Sequence, residues 1–278
     1  MRRLYYSSIV AHQNPPATNR KIPVNEDLKV RIEKAESLLQ QGRYPSAHFA
    51  LKKILRKEPD NVYALILSAE QRLRHRKRTE SVDFINKLFD MRPENFGGEL
   101  QNRLGHVCFE NDLFAKASQL FEWARLEEIQ DDLSLFQLGI SHFRLLKMQD
   151  AEQRLMECVN SRPEFAAAYL QLGHLYKAMG NSKGAAENYK KYIEFSPNEK
   201  GTGYWCLADL ESYTFDDYEI AEIKREMESR QEDLQQLSPL QFALGRAAEK
   251  NKDYSEAMRF YDEGNAIQAR LKPFNAEL

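Results

Sequence analysis

Residues 166–197 read AAAYLQLGHLYKAMGNSKGAAENYKKYIEFSP. At helical spacing Tyr169, Leu172, Gly173 and Tyr176 fall on one side of a first helix. Gly180 and Asn181 break that helix, and Ala185, Tyr189, Tyr192 and Ile193 mark one side of a second, which Pro197 closes. Gly173 and Ala185 are small and sit where the two helices of a hairpin would touch, so the spacing predicts a close hairpin contact with aromatics packed around it. A hairpin of this kind is apolar on both flanks and needs neighbours built in the same way. The chain supplies them at a fixed interval. Gly105, Gly139 and Gly173 are 34 residues apart, as are Ala117, Ala151 and Ala185, Pro59 and Pro93, Pro163 and Pro197, and Ala35 and Ala69.

A 34-residue, two-helix period with a terminal proline resembles the tetratricopeptide repeat, and the resemblance runs from Glu26 to Lys272. It implies an all-α fold, a right-handed superhelix of about seven helical hairpins. Residues 1–25, with Pro15, Pro16 and Pro23 among polar residues, read as an N-terminal tail or linker. Residues 26–272 form the array, and residues 273–278 form a C-terminal stub beyond the point where Pro273 ends the last helix. Asn25 is placed to cap the first helix. Two departures interrupt the period. Asn95 to Gly98 holds a two-residue insertion, and after Pro197 the pattern loosens, with a first helix through Tyr204–Leu210, a turn at Tyr213–Asp217 and a second helix marked by Ile220, Ile223 and Met227.

The closing part resembles a narrower group. Tyr204-Trp205-Cys206-Leu207-Ala208-Asp209-Leu210, then Tyr213-Thr214-Phe215-Asp216-Asp217, then Phe242 through Asn265, is similar to the repeat region of bacterial tetratricopeptide-repeat sulfotransferases. In that group these segments precede a domain that binds a nucleotide sulfate donor. The resemblance covers residues 165–272 and stops where such a domain would begin, and no Gly-rich strand-to-helix loop for a phosphate occurs in the chain. The expectation is therefore a protein that is not an enzyme and carries no cofactor. The alternative is the repeat arm of a sulfotransferase whose catalytic domain is truncated or lies on a separate chain.

A composition of 42% hydrophobic and 29% charged residues describes a folded, water-soluble chain, and a formal net charge of −2 argues against general affinity for nucleic acid or anionic membrane. No apolar run approaches the roughly 20 residues of a membrane span. The first residues lack a convincing cleavage site for secretion. Cys108, Cys158 and Cys206 are odd in number, lack CxxC spacing and fall near helix-packing positions, which predicts buried free thiols and a cytoplasmic location.

Two clusters invite chemistry. Arg72-Leu73-Arg74-His75-Arg76-Lys77-Arg78 could contact phosphates or an acidic partner, or be a solvated turn whose cations favour the preceding helix end. His106, His142 and His174 occur in successive repeats, but His142 sits two positions along its own helix and points elsewhere, so no metal site is expected. The first helices of such an array line its concave wall. Projection puts Ile32, Glu36, Tyr63, Ile66, Glu70, Asn102, His106, Phe109, Phe136, Phe143, Arg144, Leu170, His174 and Lys177 there. The Lys and Asn clamp by which some tetratricopeptide domains hold acidic C-termini is absent. The candidate partner-binding residues are Phe109, Phe136, Phe143, Arg144, His174 and Lys177, which suit a partner helix or an extended peptide.

Overall fold

A computed structural model describes residues 26–230 and 232–272. The predicted tail and stub, and the Asn25 cap, lie outside the described residues. The described residues form fourteen α-helices and no strand: α1 (Glu26–Gln40), α2 (Tyr44–Lys57), α3 (Val62–Arg74), α4 (Arg78–Asp90), α5 (Gly98–Glu110), α6 (Phe114–Leu126), α7 (Asp132–Arg144), α8 (Met148–Ser161), α9 (Ala166–Ala178), α10 (Ser182–Phe195), α11 (Lys200–Ala208), α12 (Asp217–Ser229), α13 (Leu234–Lys250) and α14 (Tyr254–Leu271). They follow one another as hairpins: α1, α3, α5 and α7 each pack on their successor and on the first helix of the next pair, α9 packs on α10, which carries the contact to α11, and α11 packs chiefly on α13.

The hairpin turns share one device. The second residue after the first helix of every pair but the sixth adopts left-handed backbone: Gly42, Arg76, Asp112, Leu146, Gly180 and Lys252, with φ between 58° and 76°. The next amide then donates back five residues, as in Asn181 N to Tyr176 O at 2.8 Å and Lys147 N to His142 O at 2.9 Å, which satisfies a carbonyl that the helix end leaves orphaned. Only two of these six positions are glycine, although the left-handed region favours it.

Within a hairpin, the recurring glycine admits a large side chain from the partner helix. A Cβ on Gly173 would lie 2.3 Å from the Tyr189 ring, one on Gly105 2.6 Å from Phe121, one on Gly139 2.7 Å from Leu155 and one on Gly245 2.5 Å from Tyr261. The expected contact is therefore present but differently composed: Gly173 makes way for Tyr189, sixteen residues on, and Ala185 is separately buried. Where alanine replaces the glycine, at Ala35 and Ala69, the residue sixteen on is the smaller Leu51 or Ile85.

The sixth pair breaks this rule. Leu207 stands 34 residues after Gly173, and Ile223, sixteen residues further on, takes the place in α12 that Tyr189 holds in α10. Two bulky residues at that contact keep the helices apart, and α11 packs chiefly on α13 instead. The close approach moves with it: the Gly201 amide donates to Gln236 Oε1 at 3.1 Å, a Cβ on Gly201 would lie 2.6 Å from the Gln236 carbonyl oxygen, and Trp205 meets Phe242 at 5.6 Å between ring centres. The insertion before α5 forms a single 3-10 turn, Pro93–Asn95, whose Pro93 carbonyl accepts from Gln101 Nε2 at 3.1 Å.

Candidate functional site

The wall formed by the first helices is held by bonds that run between hairpins, most of them adjacent. Arg103 on α5 donates through Nη1 to Glu36 on α1 and through Nε to Glu70 on α3, each at 2.7 Å. Those carboxylates, with their hydrogen bonds, raise the Arg103 pKa despite the burial that opposes its charge. His106 Nδ1 lies 2.7 Å from Gln137 Oε1 on α7. Lys177 on α9 pairs with Asp209 just past α11. Sequence reasoning placed Glu36 and Glu70 on the wall and missed Arg103. The spacing that could have found it is the 33 residues between Glu70 and Arg103, nearly one repeat.

The six candidate residues divide into three pairs. Phe109 is half-buried and meets Phe114, at the start of α6, edge-on at 5.6 Å. The exposed Arg144 guanidinium lies 5.8 Å from the centre of that same Phe114 ring, so Phe109 and Arg144 come together across Phe114. Phe136 is half-buried and turned onto Phe165 at 5.0 Å, and Phe143 packs against the same apolar cluster as Phe136. His174 Nδ1 lies 2.9 Å from the Tyr189 hydroxyl, with its ring edge-on to Tyr189 at 5.5 Å. Burial first, then the Lys177 ammonium, push the His174 pKa below the usual imidazole value, which favours the neutral ring near pH 7. Two projected wall residues are elsewhere: Ile66 (0% exposed) and Leu170 (5% exposed) are core, because they face the adjacent hairpin.

The basic run spans the end of α3 and the start of α4, as the turn reading expected, and much of its charge is answered by the chain. Arg72 Nε lies 3.0 Å and Lys77 Nζ 2.9 Å from Glu80, and Arg78 lies 2.7 Å from Asp112. The Lys77 hydrogen bond lowers the Glu80 pKa. His142 is buried with Nε2 3.5 Å from Glu122, away from His106 and His174. Among the described residues, no group of three or more His, Cys, Asp or Glu side chains is arranged to hold a metal ion. None of the described helices is long and apolar enough to cross a membrane. All three cysteines are free thiols, and burial pushes each up to about 12.

Tetratricopeptide repeat profiles match residues 32–95 and 166–199. No curated protein matches the chain. Among solved structures, the chain is similar to PilW, a widely conserved type IV pilus biogenesis factor, at 16% identity and a TM-score of 0.62, over 77% of this chain and 97% of that one. It is similar to MamA from Desulfovibrio magneticus RS-1 at 19% identity and a TM-score of 0.53, over 63% of this chain and 98% of that one. MamA MSR-1 gives 16% identity and a TM-score of 0.54, over 62% and 98%. At these identities the likeness shows the fold: an all-helical solenoid of tetratricopeptide type.

Proposed function

We propose that this solenoid is a cytoplasmic, non-catalytic scaffold that holds a partner helix or extended peptide on the wall of its first helices. The observation that carries this reading is the Phe109–Phe114–Arg144 cluster, an aromatic pair under a guanidinium at the junction of three helices. Interface hot spots favour aromatic and Arg anchors of this kind. Phe143, Phe136, His174 and Lys177 extend the surface along α7 and α9, with Phe136 the most committed to core packing. An assembly role fits the company of a pilus biogenesis factor among the similar solved chains.

The test takes a partner that co-purifies with the full chain and compares variants against it. Phe109→Ala with Arg144→Ala should weaken binding by about 2 kcal/mol or more, roughly thirtyfold. Arg74→Gln with Arg76→Gln should slow association modestly, and less so at high salt. Circular dichroism shows whether each variant keeps its helices. Normal binding by a folded Phe109/Arg144 variant, with binding lost in the Arg74/Arg76 variant, would move the site to the basic turn. The sulfotransferase-arm reading draws on the resemblance of residues 165–272, and co-purification of a separate chain that binds the nucleotide sulfate donor would favour it.

A further inference from the structure

Helix α12 is seated unlike any other second helix. It buries one residue, Ile223, whereas α2, α4, α6, α8, α10 and α14 each bury three to five. It scarcely touches α11 and leans on α13. Its apolar side is the short stripe Ile220, Ile223 and Met227, which joins the cluster containing Tyr204, Leu207 and Phe215.

Polar contacts supply the remainder of its attachment, and they come from a row of carboxylates. Glu219 pairs with Lys190 at 3.0 Å and accepts from the Tyr213 hydroxyl. Glu222 accepts from the Tyr204 hydroxyl at 3.3 Å, and Glu226 pairs with Lys200 at 2.5 Å. Beyond the helix, Arg230 donates to Asn198 O at 3.3 Å. Part-exposed pairs of this kind contribute little each and weaken with salt. A hollow of about 330 Å³ opens beside this seat, lined by Lys183, Lys190, Ser212 and Tyr213 among others.

The seat does not depend on α12. Direct packing of α11 on α13 holds Tyr204 and Trp205 in place, and Lys250 Nζ on α13 donates to Leu210 O at 2.8 Å and to Tyr213 O, which pins the loop leading into α12. Segments with few buried apolar contacts open at lower free energy than the core around them.

We propose that α12 is a displaceable strap, which lifts as a unit while α11 and α13 stay packed, and that its seat then receives an acidic amphipathic helix from a partner. Charge complementarity selects that occupant: Lys190, Lys200 and two phenol hydroxyls surround an apolar floor, and the fitting helix carries carboxylates at i, i+3 and i+7 beside apolar residues at i+1, i+4 and i+8. This surface is separate from the Phe109–Arg144 wall, and its test does not depend on that reading.

Hydrogen exchange on the full chain tests the first half. Amides of α12 should exchange at least about tenfold faster than those of α11 and α13, and faster again in about 0.5 M salt. A labelled peptide of residues 216–229 tests the second half. It should bind the Ile223→Ser/Glu226→Gln chain, whose own strap is weakened and whose seat is intact, at least about tenfold more tightly than wild type, while a scrambled peptide does not. Exchange of α12 in step with α13 at every salt concentration overturns the proposal, and so does failure of the peptide to bind a variant that keeps its other helices. Should the variant unfold, the exchange measurement on wild type decides.

Discussion

Gly173 has room for a hydrogen and little else, since the Tyr189 ring occupies the place of a methyl group, 2.3 Å from where its carbon would sit. Gly173→Ala should therefore destabilise the array by about 1–3 kcal/mol, because the ring must tilt out of a packed position. Tyr189→Leu in the same chain should restore much of that loss, since Ala35 with Leu51 and Ala69 with Ile85 show the smaller pair in use. Thermal melts of the two single variants and the double variant close the cycle. Additive losses would mean that the two side chains do not share one space. The glycine column was legible in the sequence as a period. Its partner was not, because periodicity identifies columns and says nothing of which columns face each other. Two small residues, Gly173 and Ala185, were paired on size, where the structure sets small against large.

At the level of elements, α6, α7 and α8 are joined by one carboxylate. Glu122 lies 3.5 Å from His142 Nε2, 3.4 Å from Arg154 Nε and 3.2 Å from Arg125 Nε. The hydrogen bond with His142, assisted by Arg154 and Arg125 and opposed by burial, holds its pKa at about 2, below the ordinary 4.5. The folded pKa is depressed, so the stabilisation is fully present above about 4.5 and is lost as pH falls towards 2. Glu122 is about a third exposed (35%), and screening reduces the effect to the order of 1–2 kcal/mol. Denaturant melts between pH 6 and 3 should show this acid loss, and Glu122→Gln should flatten it, with an unflattened limb assigning the loss to other carboxylates. Such pairings were hidden in the sequence although their spacing was not: Arg78 and Asp112 are 34 residues apart, and Lys177 and Asp209 are 32 apart. A contact between neighbouring hairpins has the length of a repeat, but many charged pairs share that separation and only packing selects among them.

For the molecule as a whole, the repeat period carried the architecture as far as Pro197, and its loss there was visible. That α11 would turn to α13 was not visible, because the decisive contact is a backbone approach at Gly201 that belongs to no repeating column. The candidate wall was partly legible: Phe109 and Arg144 meet through Phe114, whereas Ile66 and Leu170, chosen by the same projection, are core. A helical wheel gives the direction of a side chain, not the depth of the neighbour it meets.

The left-handed residues at the hairpin turns bear on how such a chain grows and shrinks. Leu146 and Gly180 have the same backbone hand and the same return bond, one full repeat apart. A polypeptide spliced from Leu146 directly to Asn181 would pass from α7 into α10 through a turn it already knows how to make. Gly139 would then face Tyr189 in place of Leu155, a substitution that Gly173 already tolerates. The shortened protein should fold with one hairpin fewer and proportionally less helical ellipticity, and a disordered product would show that the turns do not set the joint. A splice made inside α11 or α12 has no such matching seam. Gene-level lengthening and shortening is thus open along the regular hairpins and closed at the sixth.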